Sequence, residues 1–170
     1  MGTWSAFLAC RAPADAQQIW PDSQSWGTPA PGWAFVDVAL SFDPDLDAAL
    51  AAAPGPALTA IVCDSDFAHV RGAVDGVTQW EVFLNEKTAA EYDMPVPTTP
   101  GAEDGELHQR IGAWAAQAGS PTMDRAALQR VLAGGHVFAD DALHELACVL
   151  GILTSRSEPP ADGDNRGAVS

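Results

Sequence analysis

The sequence predicts an α+β fold: a small mixed or antiparallel sheet of about four strands, packed with a C-terminal group of three helices. Two β-rich apolar runs, 33–42 and 58–63, supply strands in the first half. An Asp75-Gly76 pair between two further apolar runs signals a β-hairpin over 67–84. The last third repeats its apolar residues at helical spacing.

In chain order, residues 12–32 mix four prolines with glycine and set Trp20 and Trp26 among polar neighbours, which reads as an ordered loop. The run 33–42 is apolar on both faces apart from Asp37, as a central strand requires. Asp43 can cap a helix over about 44–53, with Pro44 at its first position and Pro54-Gly55-Pro56 ending it. Strand 58–63 follows, so a strand, helix, strand order suits a right-handed crossover if the two strands pair in parallel. A two-residue turn at Asp75-Gly76 sets Val74 opposite Val77, Arg71 opposite Trp80, His69 opposite Val82 and Phe67 opposite Leu84. Residues 85–92 suit a short helix, and 94–101 is a Pro-rich connector.

Leu107, Ile111, Trp114, Ala115 and Ala118 then form one helical stripe ending at Gly119. Thr122 can cap a second helix that ends at Gly134-Gly135, and Asp140 can open a third that ends at Gly151. The organisation expected is one domain over 1–153, with a sheet-containing part at 1–93 and a helical part at 102–153. Residues 154–170 have almost no apolar content and read as a disordered tail.

A chain of 170 residues suits one domain, and 47% hydrophobic against 18% charged residues places it in the globular range. Its 8 basic and 23 acidic residues give a net charge of −15. That field repels phosphates and anionic lipid head groups and attracts basic polypeptides, so neither nucleic acid nor membrane is an expected partner. The three cysteines have no C-x-x-C spacing, which signals neither a disulfide framework nor a zinc knuckle. With no basic leader and no long apolar stretch, the expected compartment is the cytoplasm. High alanine content and arginine in excess of lysine suggest a GC-rich bacterial source.

Several chemistries lack their signatures. No Gly-x-Ser-x-Gly and no glycine-rich phosphate loop occurs, and no cofactor is expected. The four histidines fall in no His-x-x-x-His or Cys-His ligand motif. A helix-turn-helix around Gly134-Gly135 would offer phosphates Asp140, Asp141 and Glu145, which carry the wrong sign, so a plain helical hairpin is expected.

One segment resembles an enzyme motif. Ala60-Ile-Val-Cys-Asp64-Ser-Asp66 is an apolar strand ending in Asp-x-Asp, and it resembles the first motif of haloacid-dehalogenase-like phosphatases. The resemblance implies Asp64 as nucleophile, Asp66 as general acid/base and a bound magnesium. Lys87 would stand for the family lysine, and Val137-Phe-Ala-Asp140-Asp141 for the late acidic pair. On that reading Asp64, Asp66, Asp140 and Asp141 converge as the metal site. Read from the residues alone, Asp64-Ser65-Asp66 is a turn.

Two binding features remain. His69, Arg71 and Trp80 fall on one face of the hairpin in the register above, where the guanidinium can stack on the indole. Trp20 and Trp26 are aromatic anchors in loop-like sequence, suited to a partner surface. The leading expectation is therefore a non-enzymatic, acidic, cytoplasmic interaction protein, such as an immunity-type inhibitor of a basic partner. A magnesium-dependent phosphatase or phosphotransferase using the Asp-x-Asp strand end is the alternative.

Overall fold

The computed structural model describes residues 4–39, 44–93 and 104–154. The expected connector at 94–101 and the tail beyond Thr154 lie outside the described residues. Thr154 itself is held, its amide donating to the Thr28 carbonyl at 2.9 Å.

The chain is mixed α+β, but its sheet has six strands rather than four, and neighbouring strands are all antiparallel. The strands are β1 (Ser5–Arg11), β2 (Gln24–Ser25), β3 (Trp33–Ala39), β4 (Pro56–Cys63), β5 (Phe67–Val74) and β6 (Val77–Leu84), in the spatial order β2-β3-β1-β4-β5-β6. The helices are α1 (Ala16–Ile19), α2 (Leu46–Ala52), α3 (Glu86–Glu91), α4 (Asp104–Gln117), α5 (Arg125–Leu132) and α6 (Ala139–Val149). Helices α2 and α3 fall in the segments 44–53 and 85–92 expected to be helical, and α1 is an addition within the segment read as loop.

Strand β1 is the main addition. Ser5 to Cys10 are buried on both faces, so the segment carries no polar alternation to mark it as a strand. It lies between β3 and β4 and is antiparallel to both, which makes those two strands parallel to each other without pairing. The expected crossover thus spans an intervening strand. Arg11, at the end of β1, donates from Nη1 to the Ala118 carbonyl at 2.6 Å and lies over the Trp33 ring, tying this strand to the C-terminus of α4.

The hairpin register also differs. Val74 faces Val77, as expected, but a bulge between Gly72 and Ala73 leaves Gln79 as an extra residue on β6. Beyond it Gly72 faces Trp80, Arg71 faces Glu81, and His69 faces Phe83. Trp80 therefore turns to the opposite face from His69 and Arg71 and is buried there. Gly72 makes this possible, because a Cβ at that position would collide with the indole. At the bulge the Ala73 carbonyl accepts a hydrogen bond from Trp114 Nε1 at 2.9 Å.

Helices cover both faces. On one, α4, α5 and α6 bury Phe7, Phe35, Leu58, Val70, Trp80 and Trp114 in a single core. On the other, α1 and α2 cover Leu8, Val36 and Trp20, while α3 and the end of β4 close a small cluster of Cys63, Phe67 and Phe83. The helix starts differ in detail from the expected caps. Asp45 caps α2, accepting from the Ala48 amide at 2.9 Å, and Asp124 caps α5, accepting from Ala126 and Ala127. The cap expected at Asp43 lies outside the described residues.

Candidate functional site

A half-open cleft of about 600 Å³ lies where α6 meets the loop before β3. Its walls are Trp26 and Gly27 on one side and Asp140, Asp141, His144, Glu145 and Cys148 on the other. Positions 141, 144, 145 and 148 follow helical spacing, so α6 turns one polar stripe to the cleft and buries Leu143, Leu146 and Ala147 beneath it. Asp140 and Asp141 occupy its first turn, where the helix dipole favours negative charge.

Trp26 is locked in place. Its indole packs edge-on against Phe7 at 4.9 Å and Phe35 at 5.0 Å, and its remaining edge meets His144 at 5.7 Å. Its amide donates to the Phe35 carbonyl at 2.8 Å. One ring wall of the cleft is thus part of the core.

The carboxylates lack strong counter-charges. Among the described residues, no lysine or arginine pairs with Asp140, Asp141 or Glu145; Glu145 meets only His136, at 3.7 Å. Burial raises the Asp140 carboxyl above its ordinary value, the Ser65 hydroxyl donating to it at 3.2 Å opposes this, and Asp141 raises it further. Burial likewise raises Asp37 on β3, with Asp140 adding to the effect, and the Oδ1 atom of Asp37 is buried without a hydrogen-bond partner. The cleft is electrostatically incomplete in the sense that a cation would lower the energy of every carboxylate around it.

The thiols are all raised above their ordinary value. Cys148 Sγ lies 3.8 Å from His144 Nδ1, yet burial and Glu145 push the thiol up. Burial is also the main cause that lifts Cys10 to about 11, and burial raises Cys63.

The four carboxylates of the phosphatase-like reading lie on two elements that touch through Ser65, the β4–β5 turn and the first turn of α6. Asp64 and Ser65 form the β4–β5 turn, both at positive φ (52° and 59°), with the Asp66 amide donating to the Cys63 carbonyl. Asp66 accepts from the Tyr92 hydroxyl at 2.7 Å, whereas Asp140 and Asp141 line the cleft. Ser65 joins the two regions, bonding Asp140 through its hydroxyl and accepting from the Ala139 amide through its carbonyl at 2.8 Å. Among the described residues no group of three or more His, Cys, Asp or Glu side chains is arranged to hold a metal ion.

His69, Arg71 and Trp80 do not form a common patch. His69 instead packs at a tilt on Phe83, 4.9 Å between ring centroids, and meets Glu81 at 3.0 Å, and Arg71 donates to Asp47 on α2 at 2.7 Å. Trp20 is buried against α2 and β3, leaving Trp26 as the loop tryptophan that reaches the cleft.

The sequence did not single out His144 or Cys148 for a site, and Glu145 entered only as a charge of the wrong sign for phosphates. Their spacing from Asp141 on an amphipathic helix was the available signal, although nothing in the sequence set Trp26 opposite them. Tyr92 was given no role, and Val137 and Phe138, both exposed, entered only as the lead-in to Asp140 and Asp141. The chain matches no protein-family model, no curated protein and no solved structure. Function must therefore be argued from this geometry alone.

Proposed function

We propose that the protein is a non-enzymatic binding protein for a basic polypeptide, acting from the cytoplasm as an immunity-type inhibitor acts on a basic partner. The observation that carries the reading is the α6 cleft: three carboxylates and one fixed indole, with no lysine or arginine of the described chain among them. A guanidinium or ammonium group entering there gains the field of Asp140, Asp141 and Glu145. The net charge of −15 steers such a partner from a distance and repels anionic competitors.

No helix of the described residues is long and apolar enough to cross a membrane.

The test is capture from a bacterial lysate on the immobilised full chain at low and high salt. A basic protein should be retained at low salt and released at high salt. The triple variant Asp140→Asn, Asp141→Asn, Glu145→Gln should retain at least tenfold less of it. Equal retention by the variant would remove the cleft from the interface.

A further inference from the structure

The loop between α5 and α6 holds Val137 at 81% and Phe138 at 53% exposure, two consecutive large apolar residues facing water. Nothing within the described chain is stabilised by leaving them there. The backbone on each side is nonetheless fixed: Asn85 Nδ2 donates to the His136 carbonyl at 3.1 Å and to the Asp66 carbonyl at 2.9 Å, and the Ala139 amide donates to Ser65. Asn85 is itself buried and in the left-handed region at φ 58°. This scaffold presents the pair from an anchored loop. Tyr92, 46% exposed, stands at the same end through its bond to Asp66.

Charge selects what can cover these side chains. Asp64 and Asp66 lie in the turn that meets this loop, and Asp140 and Asp141 follow directly in the chain. A second copy would bring the same carboxylates and another −15 against them, and an anionic lipid or nucleic acid fails for the same reason. A basic polypeptide carrying a bulky apolar side chain beside its cations satisfies both features.

We infer that Val137 and Phe138 are the apolar anchor for the basic partner, continuous with the α6 cleft through Asp140 and Asp141. This rests on the reading of the cleft as a cation-binding site. The partner segment sets a cation into the cleft and an aromatic or branched aliphatic side chain onto Phe138.

The experiment compares two fluorescently labelled peptides of equal charge, hexalysine and the same peptide with two phenylalanines inserted, by anisotropy against the full chain at low salt. The unaltered protein should bind the phenylalanine peptide about tenfold more tightly, from the apolar area buried. The double variant Val137→Ser, Phe138→Ser should lose that preference and keep its hexalysine affinity, and Phe138→Ser alone should move the same way. Circular dichroism should confirm that both remain folded, as expected for exposed positions.

Equal affinity for the two peptides, or a preference that survives the double variant, overturns the anchor and leaves the cleft reading standing. Failure of both peptides to bind overturns the cleft reading and the anchor with it. Concentration-dependent dimerisation that the double variant abolishes would assign the patch to a second copy and also overturn the proposal.

Discussion

The two faces of the sheet are built differently although the same strands supply both. Towards α4, α5 and α6 the sheet buries one continuous apolar core, with Trp80 edge-on to Trp114 at 5.7 Å at its centre. Towards α1, α2 and α3 it buries two smaller clusters, and between them lie Thr59, His69, Arg71 and Glu81. Apolar burial supplies the largest favourable contribution to folding, so the helical-bundle side carries most of the stability, although Trp80 Nε1 and Asp37 Oδ1 are buried there without a hydrogen-bond partner, as the Thr59 hydroxyl is on the opposite side. The candidate cleft sits at the rim of the well-packed side, where Trp26 is held by Phe7 and Phe35. A binding wall fixed by a core is pre-organised, which lowers the cost of capturing a partner.

The largest effect that would break this contrast comes from the core of the bundle side. Trp114→Ala removes a fully buried indole and its hydrogen bond to Ala73, and should cost about 3–5 kcal/mol in chemical denaturation. A loss below about 1 kcal/mol would mean that this face does not dominate. Next in size is Gly72→Ala, whose methyl group meets the Trp80 ring; overpacking of this kind should cost about 1–3 kcal/mol by the same measurement. Unaltered stability there would show that the indole can leave its place over Gly72.

On the polar side the sign reverses. Thr59 is 1% exposed and its hydroxyl has no hydrogen-bond partner, so it bears the cost of desolvation without a return. Thr59→Val, which keeps the shape, should stabilise the protein by about 1 kcal/mol, seen as a higher denaturation midpoint with the same slope. Destabilisation would imply an unseen hydrogen bond.

The same contrast explains how much the sequence could convey. The bundle side was legible because α4 and α6 display unbroken stripes, Leu107 to Ala118 and Leu143 to Leu150, that periodicity detects. Strand β1 was illegible because burial on both faces erases alternation, leaving Ser5 to Cys10 as a short apolar run without a period. The hairpin turn at Asp75-Gly76 was readable, but a local turn rule cannot foresee that Trp80 needs the space over Gly72, and the resulting bulge moved every later residue of β6 by one. That shift dissolved the patch of His69, Arg71 and Trp80. The acidic stripe on α6 was present in the chain, whereas its partner wall, Trp26, is 118 positions from His144 and is held beside it by Phe7 of β1 and Phe35 of β3.

The smallest predicted effect sharpens the comparison through pH. Burial of His69 on the polar face pushes its imidazole below the ordinary value, while Glu81 opposes the shift and Arg71 adds to it. The folded state thus prefers the neutral ring, so the stability this residue contributes is complete above its unfolded value of about 6.5 and is lost as pH falls through the lowered folded value. Asp37 and Asp140 carry the opposite slope. Their carboxyls are raised by burial, so the folded state binds their protons more readily, and their contribution is present at low pH and lost as pH rises through the raised values. A single melting curve against pH mixes the two. Subtracting the curve for His69→Gln, which stays neutral and can still donate to Glu81, isolates the imidazole. The unaltered protein should lose more melting temperature than this variant between about pH 7 and pH 5. Parallel curves would show that Glu81 fully offsets the burial of His69 and that the polar face is electrostatically as settled as the apolar one.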